Sequence, residues 1–280
     1  MSESGEGNPQ DQAQQKVDYR DYKFLGGKVA AIDQRVGEQG FVGAIQSIFD
    51  ERGIHINPNM SEATSEVLSK KPTVIIATHP ELGADQLAII GALPKDRKDV
   101  SAVASVLTDR IGENTSDHIL PIYGVIDQPT NSFARTIARK GLRGYLKMDD
   151  NRSKFDKGRD NVRSMTDAKD RINSGGIVVI FPEGAGGKDA EWQNGVGDIV
   201  VRSANPDLQV VFAKAKPNDR WKNNARLVTP KVKGFLGPSN IDVDFSDPHA
   251  VAEYSGNRKH EVTQILKEQY EEFVASIRSK

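Results

Sequence analysis

Short, unbroken apolar runs, each closed by a glycine- or proline-bearing polar turn, constrain this chain most. Thr73-Val74-Ile75-Ile76-Ala77 follows Pro72, and residues 177–181 follow Ser174-Gly175-Gly176. Runs of five residues, four of them β-branched and without polar alternation, suit strands buried on both faces. Residues 100–107, 119–126 and 208–215 read the same way, and a strand pair is expected over 226–245, around Gly234 and Gly237. Between them lie stretches with helical spacing at 41–49 (stopped by Gly53), 85–93 (closed by Pro94), 132–140, 157–173, 196–203 and 259–280. Alternation of this kind predicts an α/β fold with a mixed, largely parallel sheet covered by helices.

Residues 1–17 hold almost nothing apolar, so they cannot offset the entropy of ordering and are expected to be a disordered tail. The remainder, 18–280, is expected to form a single α/β domain ending in a charged helix. With 37% hydrophobic and 28% charged residues over 280 positions, the composition is that of a globular protein.

A formal charge of −1 provides no overall field for nucleic acid, so no nucleic-acid partner is expected. Charge is clustered instead: ten Lys/Arg against four Asp from Arg135 to Arg163, and seven against one from Lys214 to Lys233. The absence of cysteine removes disulfides, thiolate metal sites and a cysteine nucleophile, and fits a reducing, cytoplasmic compartment. No secretory signal is recognisable at the start, and the apolar runs fall short of the roughly 18 residues that span a bilayer. Any work on lipid is therefore expected from the surface.

Two motifs carry candidate chemistry. The first is Thr78-His79-Pro80-Glu81-Leu82-Gly83-Ala84-Asp85, directly after the run at 73–77. A neutral imidazole has a pKa suited to taking a hydroxyl proton, and a carboxylate on its other nitrogen would fix the tautomer. Asp85 is the candidate partner, with Glu81 the rival. The second motif, Phe181-Pro182-Glu183-Gly184, closes the run at 177–181 and leads into Ala185-Gly186-Gly187-Lys188. Glu183 offers acceptors to hydroxyl groups, the glycines allow backbone N–H groups to converge on an anion, and Lys188 supplies a cation. A Walker-type phosphate loop does not fit, because Pro182 and Asp189 stand where Gly and Ser/Thr are required. No G-x-S-x-G occurs, and the five histidines show no metal-ligand spacing.

In this order and setting the two motifs resemble the glycerolipid acyltransferase family, which includes glycerol-3-phosphate and 1-acylglycerol-3-phosphate acyltransferases. The resemblance covers roughly residues 70 to 235. Its usual first motif is H-x-x-x-x-D; here five residues separate His79 from Asp85, an insertion that Gly83 could absorb. The resemblance implies His79 as general base, Asp85 as its orienting carboxylate, and Glu183 and Gly184 as contacts to the acceptor. Gly186, Gly187 and Lys188 fall where the family often carries Thr-Arg-Ser, which makes Lys188 the substitute phosphate contact. The family's middle motif, ending in a phosphate-binding Arg, is matched by Gly144 to Asp150, with Arg152 two residues beyond and Arg143 and Lys147 as further candidates.

The expected activity is transfer of a fatty acyl group from a thioester donor, acyl-coenzyme A or acyl carrier protein, to lysophosphatidate or glycerol-3-phosphate in phospholipid synthesis. No cofactor or metal is implied. The altered spacing and displaced Arg leave open an alternative: a weakened relative that binds lipid or phosphate. The basic segment around Trp221 fits an anionic membrane surface, the phosphates of coenzyme A, or simple solvation.

Overall fold

The computed structural model describes residues 26–78, 84–105, 112–123, 154–183, 191–219, 222–223 and 239–278. Among the described residues, eight strands form one sheet. In chain order they are β1 (Ile54–Asn59), β2 (Thr73–Ala77), β3 (Val100–Ser105), β4 (Ile119–Ile122), β5 (Ile177–Ile180), β6 (Gln209–Pro217), β7 (Ser239–Phe245) and β8 (His249–Ala250). The spatial order is β1-β7-β6-β2-β5-β3-β4, with β8 beside β6. Every pairing from β6 through β4 along that path is parallel, as is β1 with β7, while β6 meets β7 and β8 antiparallel. The expected mixed, largely parallel sheet is therefore the observed one.

The central strands are buried on both faces, which is why they read as unbroken apolar runs. Every residue of β2 is 0% exposed, and its neighbours in β5 and β6 are nearly so. Alternate side chains divide between two cores. Ile75, Ala77, Val179, Val211 and Ala213 face α1 (Gly26–Arg52), α2 (Glu62–Lys70) and α3 (Ala84–Gly91). Val74, Ile76, Val178, Ile180, Val210 and Phe212 face α5 (Lys154–Asn173), α6 (Gly195–Arg202) and α7 (Lys259–Arg278). A one-turn helix, α4 (Glu113–Ser116), precedes β4. At roughly 1.5–3 kcal/mol for each large apolar side chain buried, this double burial makes the central strands the most strongly specified part of the fold.

Helix α1 is longer than the sequence pattern predicts. Gly40, at φ 74°, interrupts it, and the expected helix at 41–49 is the segment after that kink. Only the second segment carries a full apolar stripe, with Phe41, Val42, Ala44, Ile45 and Phe49 all buried. Gly53, at φ 64°, ends it as expected, donating its N–H to Asp50 O at 3.0 Å. Strand β1 and helix α2 have no counterpart in the sequence reading. The expected strand pair at 226–245 is described only as β7, and β7 pairs with β6 and β1 rather than with a near neighbour in sequence. The tail 1–17 and the helix expected at 132–140 lie outside the described residues; of the basic segment around Trp221, Lys214 and Lys216 lie in β6 and Lys222 is described, while Arg220, Trp221 and Arg226 lie outside.

Candidate active site

Because β2, β5, β3, β4 and β6 run parallel, their C-terminal ends share one edge of the sheet. Ligand sites of open α/β sheets gather at such an edge. Strands β2 and β5 are direct neighbours in the register Ile76↔Ile180, so the two sequence motifs leave the sheet side by side. This adjacency brings together residues about a hundred positions apart in the chain.

Asp85 is the second residue of α3 and is 4% exposed. A carboxylate in the first turn of a helix faces the partial positive charge of the N-terminal N–H groups. Glu183 follows β5 after Phe181 and Pro182 and is 9% exposed. Pro182 O accepts a 3.0 Å hydrogen bond from Gln193 N, which fixes where the chain returns towards α6. Two buried carboxylates thus stand on the C-terminal edge, one beyond β2 and one beyond β5. His79, Glu81, Arg152, Gly184, Gly186, Gly187 and Lys188 lie outside the described residues; His79 is adjacent in sequence to Thr78.

Around Thr78 the structure assembles residues that the sequence reading did not place at this site: Tyr270, and Lys214, which it grouped with the basic segment around Trp221. Thr78 Oγ1 and Tyr270 Oη share a hydrogen bond of 2.5 Å, and Lys214 Nζ donates to Thr78 Oγ1 at 3.3 Å. Register explains the second contact: Ala77 pairs with Ala213, so Thr78 and Lys214 are the next residues outward on neighbouring strands. Tyr270 comes from α7, where it continues the apolar stripe of Val262 and Leu266. Its ring lies 5.6 Å from that of Trp192 and 6.0 Å from that of Phe212. Burial pushes its hydroxyl up to about 12; the hydrogen bonds with Thr78 oppose this, and the Glu183 carboxylate adds to it. Glu183, Thr78, Lys214 and Tyr270 therefore belong to one electrostatic neighbourhood.

Only Lys214 left a legible trace in the sequence, as a charge between Ala213 and Ala215 in an otherwise apolar strand. Tyr270 reads as an ordinary core residue until its hydroxyl partner is known.

A cavity of about 250 Å³ opens at the opposite end of β3 and β4, lined by Val36, Glu38, Lys98, Asn114, Asp117 and His118. It holds neither Asp85 nor Glu183. Its histidine is engaged in structure: His118 stacks on Phe41 at 5.0 Å, and its Nδ1 lies 2.7 Å from Val100 O. Among the described residues no group of three or more His, Asp or Glu side chains is placed to hold a metal ion. No helix among them is long and apolar enough to cross a membrane.

No family model and no curated relative matches the sequence. Among solved structures, the chain is similar to the 1-acyl-sn-glycerophosphate (LPA) acyltransferase PlsC from Thermotoga maritima. The two are 15% identical, the match covers 93% of this chain and 95% of that one, and the TM-score is 0.43.

Proposed function

We propose that this chain is a glycerolipid O-acyltransferase that moves a fatty acyl group from a thioester donor to a phosphorylated glycerol. The supporting observation is the pair of buried carboxylates, Asp85 and Glu183, on the shared C-terminal edge of the adjacent strands β2 and β5. The motif resemblance assigns distinct tasks to the two. In the proposed reaction His79 takes the acceptor hydroxyl proton as that oxygen attacks the thioester carbonyl. Asp85 holds the imidazole tautomer and stabilises the imidazolium. Collapse of the tetrahedral intermediate breaks the C–S bond, and the departing thiolate takes up the proton from His79. The step needs neither a covalent acyl-enzyme nor a metal.

Glu183 and Gly184 position the acceptor hydroxyl, and Gly186, Gly187, Lys188 and Arg152 hold its phosphate. Acyl-coenzyme A or acyl carrier protein carries the donor; lysophosphatidate or glycerol-3-phosphate is the acceptor. The five-residue spacing between His79 and Asp85 favours one second reading, a protein that binds lipid or phosphate with little turnover.

Thiol release from palmitoyl-coenzyme A, measured with lysophosphatidate, with glycerol-3-phosphate and with no acceptor, tests the proposal. Release that depends on one acceptor supports acyl transfer. Equal release without acceptor indicates a thioesterase, and saturable binding without release indicates the second reading.

A further inference from the structure

Helix α5 runs from the C-terminal edge of the sheet back to the start of β5, so its first turns share the edge that carries Asp85 and Glu183. It is clamped there from within. Asn161 Oδ1 accepts from Tyr123 N at 2.6 Å, its Nδ2 donates to Tyr123 O at 3.0 Å, and Ser164 Oγ donates to Pro121 O at 2.6 Å. Tyr123 immediately follows β4. Phe155 lies six residues before Asn161, which at 1.5 Å of rise per residue carries it about 9 Å beyond the end of β4.

The outward face of this projecting segment is not that of a simply solvated helix. Phe155 is 79% exposed and Val162 67%, against 37% for Leu87 and 39% for Val201, the other large apolar residues exposed among those described. Phe155 and Val162 are seven residues apart and so lie on one stripe. The exposed positions from 155 to 166 are Phe155, Gly158, Arg159, Val162, Arg163 and Thr166, with no acid among them. The acids of these turns, Asp156 and Asp160, are half-buried, and exposed acids resume only at Asp167, further from the edge. Arg159 keeps a side chain 71% exposed while it pairs with Asp156 at 3.5 Å.

We propose that the N-terminal half of α5 seats the protein on an anionic lipid surface, with Phe155 and Val162 entering the headgroup region and Arg159 and Arg163 meeting lipid phosphates. The charge sequence along the helix selects this occupant. Apolar and cationic groups are exposed at the projecting end, and acids lie at the end turned away. A helix with one apolar and basic face binds such a surface in plane, without spanning it. Seating by this face would bring the edge bearing Asp85 and Glu183 beside the lipid surface. The inference stands apart from the acyl-transfer reading, because docking is measured without donor or turnover.

The test is sedimentation of the full chain with vesicles of equimolar phosphatidylcholine and phosphatidylglycerol, beside vesicles of phosphatidylcholine alone. Wild type should partition preferentially to the anionic vesicles. The pair Phe155→Ser with Val162→Asn should lower that partitioning about tenfold or more, given the apolar area withdrawn from the lipid. Arg159→Gln with Arg163→Gln should reduce it by about tenfold or more, towards the level seen with neutral vesicles. Val201→Ser, on an exposed face near the opposite edge, should change nothing, and all variants should keep the wild-type circular dichroism. Equal partitioning of wild type and the Phe155/Val162 variant would overturn the proposal, as would failure of wild type to sediment with anionic vesicles. So would a dimer in solution that the same pair of substitutions dissolves, since the stripe would then be an interface between two copies.

Discussion

Thr78 Oγ1 and Tyr270 Oη meet at 2.5 Å, tying the last described residue before His79 to a helix 192 residues further along the chain. The contact makes the end of β2 depend on the docking of α7. Tyr270 is buried, and Lys214 approaches the same Thr78 oxygen from β6.

A pH dependence follows. The Tyr270 hydroxyl is raised from an ordinary 10 to about 12, so the folded state holds its proton more tightly than the unfolded chain does. The stability it contributes is complete below pH 10 and is lost as pH rises towards 12. At 1.36 kcal/mol per unit, the loss is on the order of 3 kcal/mol. Urea midpoints at pH 9 and pH 11 should therefore fall further for wild type than for Tyr270→Phe. Tyr254, also raised by burial, is common to both proteins and cancels in the comparison. Equal falls would contradict the assignment.

Gly197→Ala should be among the most damaging small substitutions outside the site. A Cβ there would lie 2.0 Å from Lys259 O and 2.4 Å from Thr263 Oγ1, where α6 packs on the start of α7. Backbone cannot yield as a side-chain tip can, so a cost at or above the usual overpacking range of about 1–3 kcal/mol is expected. Thermal denaturation checks it. An unchanged midpoint would mean that α6 and α7 do not pack this closely.

Asp85→Asn keeps shape and burial while removing the charge that holds the proposed imidazolium. Acyl transfer should fall by about 10²- to 10⁴-fold in kcat. Glu183→Gln should act mainly on the KM for the acceptor, since that residue is proposed to hold the hydroxyl rather than move its proton. Steady-state kinetics with varied acceptor separates the two patterns. A KM effect from Asp85→Asn alone would reverse the roles.

How much was legible in the sequence follows from how local each signal is. Strands β2, β5 and β6 announced themselves because burial on both faces demands continuous apolar residues, and Asp85 and Glu183 were visible because each belongs to a motif that follows such a run. Strand β1 was not visible: Ile54-His55-Ile56-Asn57-Pro58-Asn59 has neither the composition nor the proline-free interior of a strand. Asn57 and Asn59 are held by hydrogen bonds to Asp242 and Asp244, 185 positions away. Helix α2 depends on one cap, Ser61 Oγ accepting from Thr64 N at 3.3 Å, and on few buried residues, so its pattern is faint. The contacts among Thr78, Lys214 and Tyr270 are fixed by strand order and helix docking, which no local pattern encodes.

The most direct test of the central claim is acyl transfer from palmitoyl-coenzyme A to lysophosphatidate by wild type and by His79→Ala, with product phosphatidate measured by mass spectrometry. The account predicts phosphatidate from wild type, and none above the uncatalysed rate from a variant whose circular dichroism is unchanged. Phosphatidate formed equally well by folded His79→Ala would contradict it.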